Sequence, residues 1–102
     1  MPLISFVLPI YNESENIPKL WDELQLLHSK IDTKYSVEFI FVNDGSDDDS
    51  ITQLVEIYKA NPEIIKVINF TRNFGHQIAV TAGQDIAKGD AIETEQRREG
   101  RG

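Results

Sequence analysis

One stretch of the sequence, residues 37–46, constrains the fold more than any other. It is apolar from 37 to 42 apart from Glu38, and it then turns abruptly polar at Asn43 with the order Asn-Asp-Gly-Ser and three further aspartates directly behind. A short apolar run bounded by turn residues predicts a strand buried on both faces, as in a parallel sheet. In open α/β sheets ligands bind outside the carboxyl ends of the strands, so Asp44 is a candidate ligand contact. The alternative is a tight turn in which one of the following aspartates caps a helix.

The rest of the chain alternates between strand-like and helix-like segments. Apolar runs predict strands near residues 3–8, 37–43 and 64–70, and Pro9 should end the first because proline cannot donate to a sheet ladder. Apolar residues at spacings of three and four predict a helix after each strand, and a fourth strand begins at 90–92. Alternation of this kind is typical of a three-layer α/β/α, Rossmann-like parallel sheet with right-handed crossovers. We expect the first strand to lie between the second and the third.

Three polar loops should share the carboxyl edge of this sheet, because each follows the end of a parallel strand. The candidate ligand contacts in these loops are Tyr11, Asn12 and Glu13 in the first, Asp44 and Ser46 in the second, and Arg72, Asn73 and Gly75 in the third. A hydrolase-like pairing of Ser46 with His76 lacks the nucleophile elbow that such a site needs.

Composition and motifs narrow the function classes further. The chain has 102 residues, enough for one domain, and its formal net charge of -7 argues against a nucleic-acid surface, which needs clustered cations. It contains no cysteine, which excludes disulfides, thiolate zinc sites and cysteine nucleophiles. No apolar run reaches the roughly 20 residues of a membrane-spanning helix, and we expect a cytoplasmic location. The glycine patterns of dinucleotide-binding and P-loop phosphate cradles are absent from the sequence.

Three ordered motifs give the chain a close resemblance to a known family. Residues 7–13 read Val-Leu-Pro-Ile-Tyr-Asn-Glu, residues 42–48 read Val-Asn-Asp-Gly-Ser-Asp-Asp, and residues 72–77 read Arg-Asn-Phe-Gly-His-Gln. In this order they resemble the start of family 2 glycosyltransferases of the GT-A fold, in particular polyprenyl-phosphate hexosyltransferases such as dolichyl-phosphate mannose synthase and undecaprenyl-phosphate glucosyltransferase. The resemblance covers residues 4–92 and implies the nucleotide-binding half of a GT-A fold.

The resemblance also implies that the loops hold a nucleotide sugar, either a UDP- or a GDP-hexose. Residues after the first strand would surround the base and ribose, and Asp44 would hydrogen-bond the base, which suits a carboxylate facing N–H groups. Arg72 and Asn73 would lie near the nucleotide or brace their loop, and a structural salt bridge is the alternative for Arg72. The implied nucleotide-binding residues are Pro9, Tyr11, Asn12, Glu13, Asp44, Ser46, Arg72 and Asn73.

The implied reaction is transfer of a hexose, with inversion, from the nucleotide to an acceptor such as a polyprenyl phosphate. A divalent cation, Mg²⁺ or Mn²⁺, is expected in the complete enzyme, where it would neutralise the leaving diphosphate. The complete enzyme would then serve cell envelope glycan biosynthesis at the cytoplasmic face of a membrane. The alternative is a noncatalytic nucleotide-binding module or an inert fragment.

The sequence departs from the family after Ile92. Where the resemblance requires an Asp-x-Asp motif to hold the metal, this chain has Glu-Thr-Glu at 93–95, and residues 93–102 include no apolar side chain. We therefore divide the chain into a partial glycosyltransferase domain at 1–92 and a divergent, disordered tail at 93–102, and expect a truncation or frame-shift near Ile92. The metal site would be missing, the catalytic residues are unassigned, and this chain alone would not transfer sugar. A sheet edge exposed beside the first strand would favour self-association.

Overall fold

The computed structural model describes residues 1–95, which alternate between parallel strands and helices as the sequence predicts. None of the helices in this range combines the length and the apolar character needed to cross a membrane. The elements are β1 (Leu3–Ile10), α1 (Ile17–Ile31), β2 (Ser36–Asn43), α2 (Ser50–Ala60), β3 (Ile65–Asn69), α3 (His76–Ile86) and β4 (Ala91–Thr94).

Two apolar layers hold the helices against the sheet. On one face Phe39 and Phe41 of β2 pack with Leu54 of α2 and with the buried leucines of α1. On the other face Ile40 of β2 packs with Ala79 of α3. The two sets alternate along β2 because successive side chains of a strand point to opposite faces. The predicted three-layer α/β/α architecture is therefore confirmed.

The order of the strands across the sheet is β3-β2-β1-β4. The expectation that β1 lies between β2 and β3 is wrong, because the neighbours of β1 are β2 and β4. The positions of the helices explain this order. Helices α1 and α2 cover the same face, so two right-handed crossovers carry the chain in one direction, from β1 to β2 to β3. Helix α3 covers the opposite face, and its crossover returns the chain to the far side of β1.

The edge of β1 that we expected to be exposed is covered by β4. The pairing runs from Ile4 opposite Ala91 to Val7 opposite Thr94, so the outer edges of the described sheet belong to β3 and β4. Strand β4 includes residues 93 and 94, the first two positions of the predicted tail. The end of that tail, residues 96–102, lies outside the described part of the chain.

Strand β1 does not end at Pro9 but continues one residue beyond it. The carbonyl oxygens of Leu3 and Val7 accept hydrogen bonds from the backbone N–H groups of Asp90 (2.7 Å) and Glu95 (2.9 Å). The backbone N–H and C=O groups of the odd-numbered residues of β1 therefore point toward β4. Pro9 faces the same side, past the end of β4, where the ladder needs no donor. Within residues 1–95 its missing N–H therefore costs no hydrogen bond of the β1–β4 ladder.

A buried carboxylate fastens the turn between α3 and β4. Glu38 of β2 accepts hydrogen bonds from Ser5 Oγ (2.6 Å) and from the backbone N–H of Lys88 (2.7 Å), and it forms an ion pair with Lys66 Nζ at 2.7 Å. Ser5 Oγ in turn accepts from the N–H of Gly89 at 2.8 Å. Burial alone would raise the pKa of Glu38, but the bonds from Lys66, Lys88 and Ser5 outweigh it and lower that pKa below its ordinary value. One side chain thus links β1, β2, β3 and the turn that leads into β4.

Candidate functional site

A cavity of about 500 Å³ opens at the carboxyl edge of the sheet, among the three loops that the sequence places there. This volume lies within the usual range for small-molecule pockets. Four of the predicted contacts line it, namely Tyr11, Ser46, Arg72 and Asn73. The other lining residues are Asn43, Gly45, Asp47, Ile51, Asn69, Phe70 and Thr71. The remaining five predicted contacts, Pro9, Asn12, Glu13, Asp44 and Gly75, do not line the cavity.

Asn12 joins the first loop to the second. Its backbone N–H donates to Ser46 Oγ at 2.9 Å, and its Oδ1 accepts from the N–H of Asp47 at 2.7 Å. Its φ of 49° lies in the left-handed region, which asparagine tolerates better than most residues. The N–H of Glu13 makes a further link, to Ser50 Oγ at 3.1 Å. The structure thus places Asn12 and Glu13 where they position the loops.

Asp48 strengthens the same connection. Its carboxylate accepts from the backbone N–H groups of Ser14 (3.1 Å) and Ser50 (2.9 Å). Desolvation acts to raise the pKa of Asp48, but the hydrogen bonds from Ser50 and Ser14 prevail and lower it from the ordinary 3.8 to about 2. The first and second loops are therefore joined by both neutral and charge-assisted bonds.

Asp44 is only 3% exposed and binds the third loop. Its Oδ1 accepts from the N–H of Phe74 at 2.8 Å, and its Oδ2 accepts from the N–H of Gly75 and from Asn73 Nδ2, both at 3.1 Å. These donors occupy three of the roughly four acceptor positions of a carboxylate. Asp44 therefore holds the third loop in place, and the base contact expected for it stays a prediction.

Gly45 brings the second and third loops into backbone contact. A Cβ at this position would lie 2.2 Å from the carbonyl carbon of Arg72 and 2.3 Å from the nitrogen of Asn73. Its φ of 72° also lies in the region that favours glycine. Only a residue without a side chain allows these two loops to approach so closely.

Arg72 and Tyr11 present the groups of the cavity that suit a nucleotide. The guanidinium of Arg72 lies 4.3 Å from the ring centroid of Phe74, which itself packs edge-on against Phe70. Within residues 1–95 the ion pair within 4.0 Å is that of Glu38 with Lys66, so the salt bridge considered for Arg72 is not formed there. The side chain of Tyr11 is 46% exposed, which leaves its ring accessible.

Two asparagines of the cavity were missed by sequence reasoning. Asn43 ends β2 and Asn69 ends β3, opposite each other in register, and Asn43 Nδ2 donates to Asn69 Oδ1 at 2.8 Å. The sequence pattern assigns both only to strands, at 37–43 and 64–70, although in the structure each is a polar residue at the carboxyl end of its strand. That position is the signal that could have identified them.

We also searched the described residues for clusters of metal-binding side chains. Across residues 1–95 no three or more histidine, aspartate or glutamate side chains come together in a group that could hold an ion.

Comparisons with known proteins agree with one another. Residues 5–93 match the family described as Glycosyl transferase family 2. The "Uncharacterized glycosyltransferase YkcC" of Bacillus subtilis is 48% identical over 88 residues, which are 86% of this chain and 26% of that protein. The "Prophage bactoprenol glucosyl transferase homolog" of Escherichia coli is 41% identical over 92 residues, covering 87% of this chain and 28% of that protein. The chain thus spans about a quarter of the length of these relatives.

A solved structure has the same fold. "Mannosyltransferase PcManGT from Pyrobaculum calidifontis in complex with GDP-Man and Mn2+" superimposes with a TM-score of 0.76 at 20% identity, over 89% of this chain and 26% of that protein. The parallel sheet and its helices therefore match part of a known glycosyltransferase fold.

Proposed function

The chain belongs to glycosyl transferase family 2, and from this premise we propose that it holds the nucleotide part of a sugar donor in the cavity at the carboxyl edge of its sheet. The observation that carries the proposal is the convergence of Tyr11, Ser46, Arg72 and Asn73, from all three loops, on one cavity of about 500 Å³. An accessible aromatic ring can stack on a base, and a guanidinium can pair with a diphosphate through its fork of N–H groups.

The residues have separate roles in this proposal. Tyr11 stacks on the base, and Arg72 binds the diphosphate. Asn12 and Glu13 keep the first loop on the second, and Asp44 keeps the third loop in place and contributes a remaining lone pair to the base. Pro9 and Ser46 complete the set, Pro9 through the path of the first loop and Ser46 through its hydroxyl at the cavity wall.

For the complete protein we propose transfer of a hexose from UDP or GDP to a polyprenyl phosphate, in the synthesis of cell envelope glycans. The name of the Escherichia coli relative supports a bactoprenol acceptor, and the Pyrobaculum mannosyltransferase, solved with GDP-Man and Mn²⁺, supports a nucleotide sugar with a divalent metal. A phosphate oxygen would form the new bond to the anomeric carbon with inversion, and the nucleoside diphosphate would leave. For the 102 residues alone we propose nucleotide binding without transfer, which keeps the noncatalytic module as the second candidate.

Titration calorimetry with UDP and GDP, with and without Mg²⁺ or Mn²⁺, tests the binding. We expect Tyr11→Ala to weaken binding by about 1 to 3 kcal/mol, the usual value of stacking one base on an aromatic ring. Tyr58→Ala is the matched control, because Tyr58 is similarly exposed (43% against 46%) but lies on α2, outside the cavity. Equal affinities of the two variants would contradict the proposed site.

Asp44→Ala should weaken nucleotide binding by about 1.5 to 3 kcal/mol, as expected for loss of a charge-assisted hydrogen bond. Because three donors of the third loop lose their acceptor, the free energy of unfolding should fall as well. Calorimetry and urea unfolding of the same variant measure the two effects. An unchanged affinity in a folded variant would show that Asp44 matters neither directly nor through the loop.

A sugar-transfer assay separates the two candidate functions. We expect no transfer to a polyprenyl phosphate by the 102-residue chain, because its described residues hold no metal cluster for the leaving diphosphate. Metal-dependent release of nucleoside diphosphate together with a glycosylated lipid would contradict the noncatalytic assignment.

A further inference from the structure

The first loop is held in place by side chains of the second loop and of α2. Three successive backbone N–H groups, at residues 12–14, each donate to an oxygen of one of these side chains. In chain order of the donors, the acceptors are Ser46 Oγ (2.9 Å), Ser50 Oγ (3.1 Å) and Asp48 Oδ2 (3.1 Å). The conformation of the first loop therefore depends on acceptors that lie 34 to 37 residues further along the chain.

Two of these acceptors, Asp48 and Ser50, hold the first loop from outside the cavity. Neither residue lines the cavity, whereas Ser46 does. Asp48 and Ser50 are also joined to each other, because the N–H of Ser50 donates to Asp48 Oδ1 at 2.9 Å. From α2, Gln53 Nε2 donates to the carbonyl oxygen of Ser14 at 2.9 Å, so the N–H and the C=O of Ser14 are both bound. A short-range effect of Asp48 or Ser50 on a ligand in the cavity would therefore pass through the first loop.

Tyr11 is the residue of the cavity whose position depends on these bonds. On its amino side, Ile10 is fully buried and its carbonyl oxygen accepts from the N–H of Asp44 at 2.8 Å. On its carboxyl side, the chain is held through residues 12–14. Within residues 1–95 the side chain of Tyr11 makes no hydrogen bond and contacts no other aromatic ring. The backbone on either side of Tyr11 therefore determines where its ring lies.

We propose that Asp48 and Ser50 are positioning residues for the nucleotide, which hold the first loop so that Tyr11 is already placed to stack on the base. The inference rests on the proposed nucleotide-binding function. If the loop is ordered before the nucleotide arrives, binding does not have to supply the free energy of ordering it. The observed affinity otherwise falls with the fraction of molecules that have the binding-competent conformation.

Titration calorimetry of the 102-residue protein with UDP and GDP tests the proposal. Asp48→Ala removes both acceptor oxygens, and we expect it to weaken binding about tenfold, which corresponds to ordering the backbone of roughly one residue. Ser50→Ala removes the acceptor of the Glu13 N–H and should change the affinity in the same direction.

The sign of the change separates positioning from charge. Loss of a negative charge would by itself favour an anionic nucleotide, so a charge effect of Asp48→Ala would strengthen binding. Asp49→Ala is the matched control, because it removes the same charge from the next residue, which makes no side-chain hydrogen bond to cap α2. We expect this control not to weaken binding.

A double-mutant cycle with Tyr11→Ala shows whether the effect passes through Tyr11. Without the aromatic ring, ordering of the loop contributes little to stacking, so Asp48→Ala should weaken binding much less in the Tyr11→Ala background than in the wild type. A role in folding alone would lower the free energy of unfolding, measured in urea, but would leave the nucleotide affinity of the folded variant unchanged. Amide hydrogen exchange should be faster at residues 12–14 of Asp48→Ala and should slow again when UDP saturates the protein.

Ser50 is fully buried, so its variant could fail to fold, but Asp48 is exposed and its variant carries the test independently. An unchanged affinity in folded Asp48→Ala, or equal losses in the two backgrounds of the cycle, would reject the positioning role. Weaker binding by Tyr11→Ala would in that case leave the proposed function intact. Failure of the wild type to bind either nucleotide would reject the proposed function and this inference together.

Discussion

Gly45 and Gly75 both adopt positive φ, at 72° and 104°, but their surroundings differ. An added Cβ at Gly45 would collide with the backbone of the third loop, whereas at Gly75 no heavy atom lies within 4 Å. The first position combines backbone strain with a steric conflict, and the second has strain alone. The pair therefore separates two reasons for a glycine within one site.

We expect Gly75→Ala to lower the free energy of unfolding by about 1 to 2 kcal/mol, the cost of a strained backbone. Gly45→Ala should cost about 3 kcal/mol or more, because the second and third loops must also move apart. Urea unfolding of both variants gives the comparison. Equal losses of unfolding free energy in the two variants would mean that the second and third loops can move apart without destabilising the protein.

Asp48 gives the protein a defined response to acid. Its folded pKa of about 2 lies below the ordinary 3.8, so its contribution to stability is complete above 3.8 and is lost as the pH falls toward 2. Asp48→Asn should remove this part of the pH dependence, as measured by thermal unfolding between pH 2 and pH 5. Asp49→Asn is the control, because no side-chain hydrogen bond caps α2 at Asp49. If the melting temperatures of both variants depend on pH as that of the wild type does, the hydrogen bonds to Asp48 contribute nothing to stability.

The sequence predicts the location of a site residue correctly where that location depends only on the end of a strand. Tyr11, Ser46 and Arg72 follow the ends of parallel strands, and all three line the cavity. The inward direction of Asp44 could not be predicted, because its partners belong to a loop about 30 residues further along the chain. The direction of a side chain in a turn depends on the donors that the fold brings to it, and those donors follow from tertiary structure.

At the level of elements, Glu38 of β2 connects β1 with β3, which are not neighbours in the sheet. Glu38→Gln should lower the free energy of unfolding by about 1 to 3 kcal/mol, because a neutral amide loses the ion pair with Lys66 and offers one acceptor oxygen where the carboxylate offers two. Lys66 is about one-third exposed, so solvent screening places the loss in the lower part of this range.

Chemical unfolding measures this loss, and amide hydrogen exchange of β4 shows whether the turn has loosened. Glu56→Gln makes the same change at an exposed position of α2 and should alter neither measurement. A loss of stability without faster exchange in β4 would contradict the role of Glu38 in fastening that strand.

Most of the strands and helices were predictable from the sequence, but the carboxyl ends of β1 and β4 were not. Apolar runs and helical spacing located three strands and three helices, since both patterns follow from which faces are buried. The end of β1 was missed because Pro9 prevents a hydrogen bond only on the side where β4 has already ended. The course of β4 past Ile92 was missed because an edge strand pairs through its backbone and needs few apolar side chains.

The order of the strands is a property of the whole molecule. It depends on which face of the sheet each helix covers, and the apolar stripe of a helix does not reveal that face. Helices α1 and α2 share a face through contact with one apolar layer, and α3 contacts the other. Only the full set of contacts determines where the chain reverses, which is why β1 was placed between the wrong strands.

The outer edge of β4 should promote self-association of the 102-residue chain. Its short strand presents backbone groups to a second molecule, and Ile92 is 42% exposed beside them. Sedimentation velocity over a range of concentrations should show dimers or larger species, and Ile92→Lys should reduce them. Ile86→Lys is the control, because Ile86 is similarly exposed (39%) but lies at the end of α3. A single monomeric species at high concentration would contradict this expectation.

The central position of β1 has a consequence for how the chain acquires its structure during synthesis. Hydrogen bonds connect Leu3 with Asp90 and Ser5 with Gly89 across 87 and 84 residues. Strand β1 therefore keeps one side open until the residues around Asp90 have also left the ribosome, although β2 can pair with its other side much earlier. Contacts so distant in sequence form slowly because a long loop must close first. The nascent chain would then depend on the arrival of β4 to pair with the open side of β1.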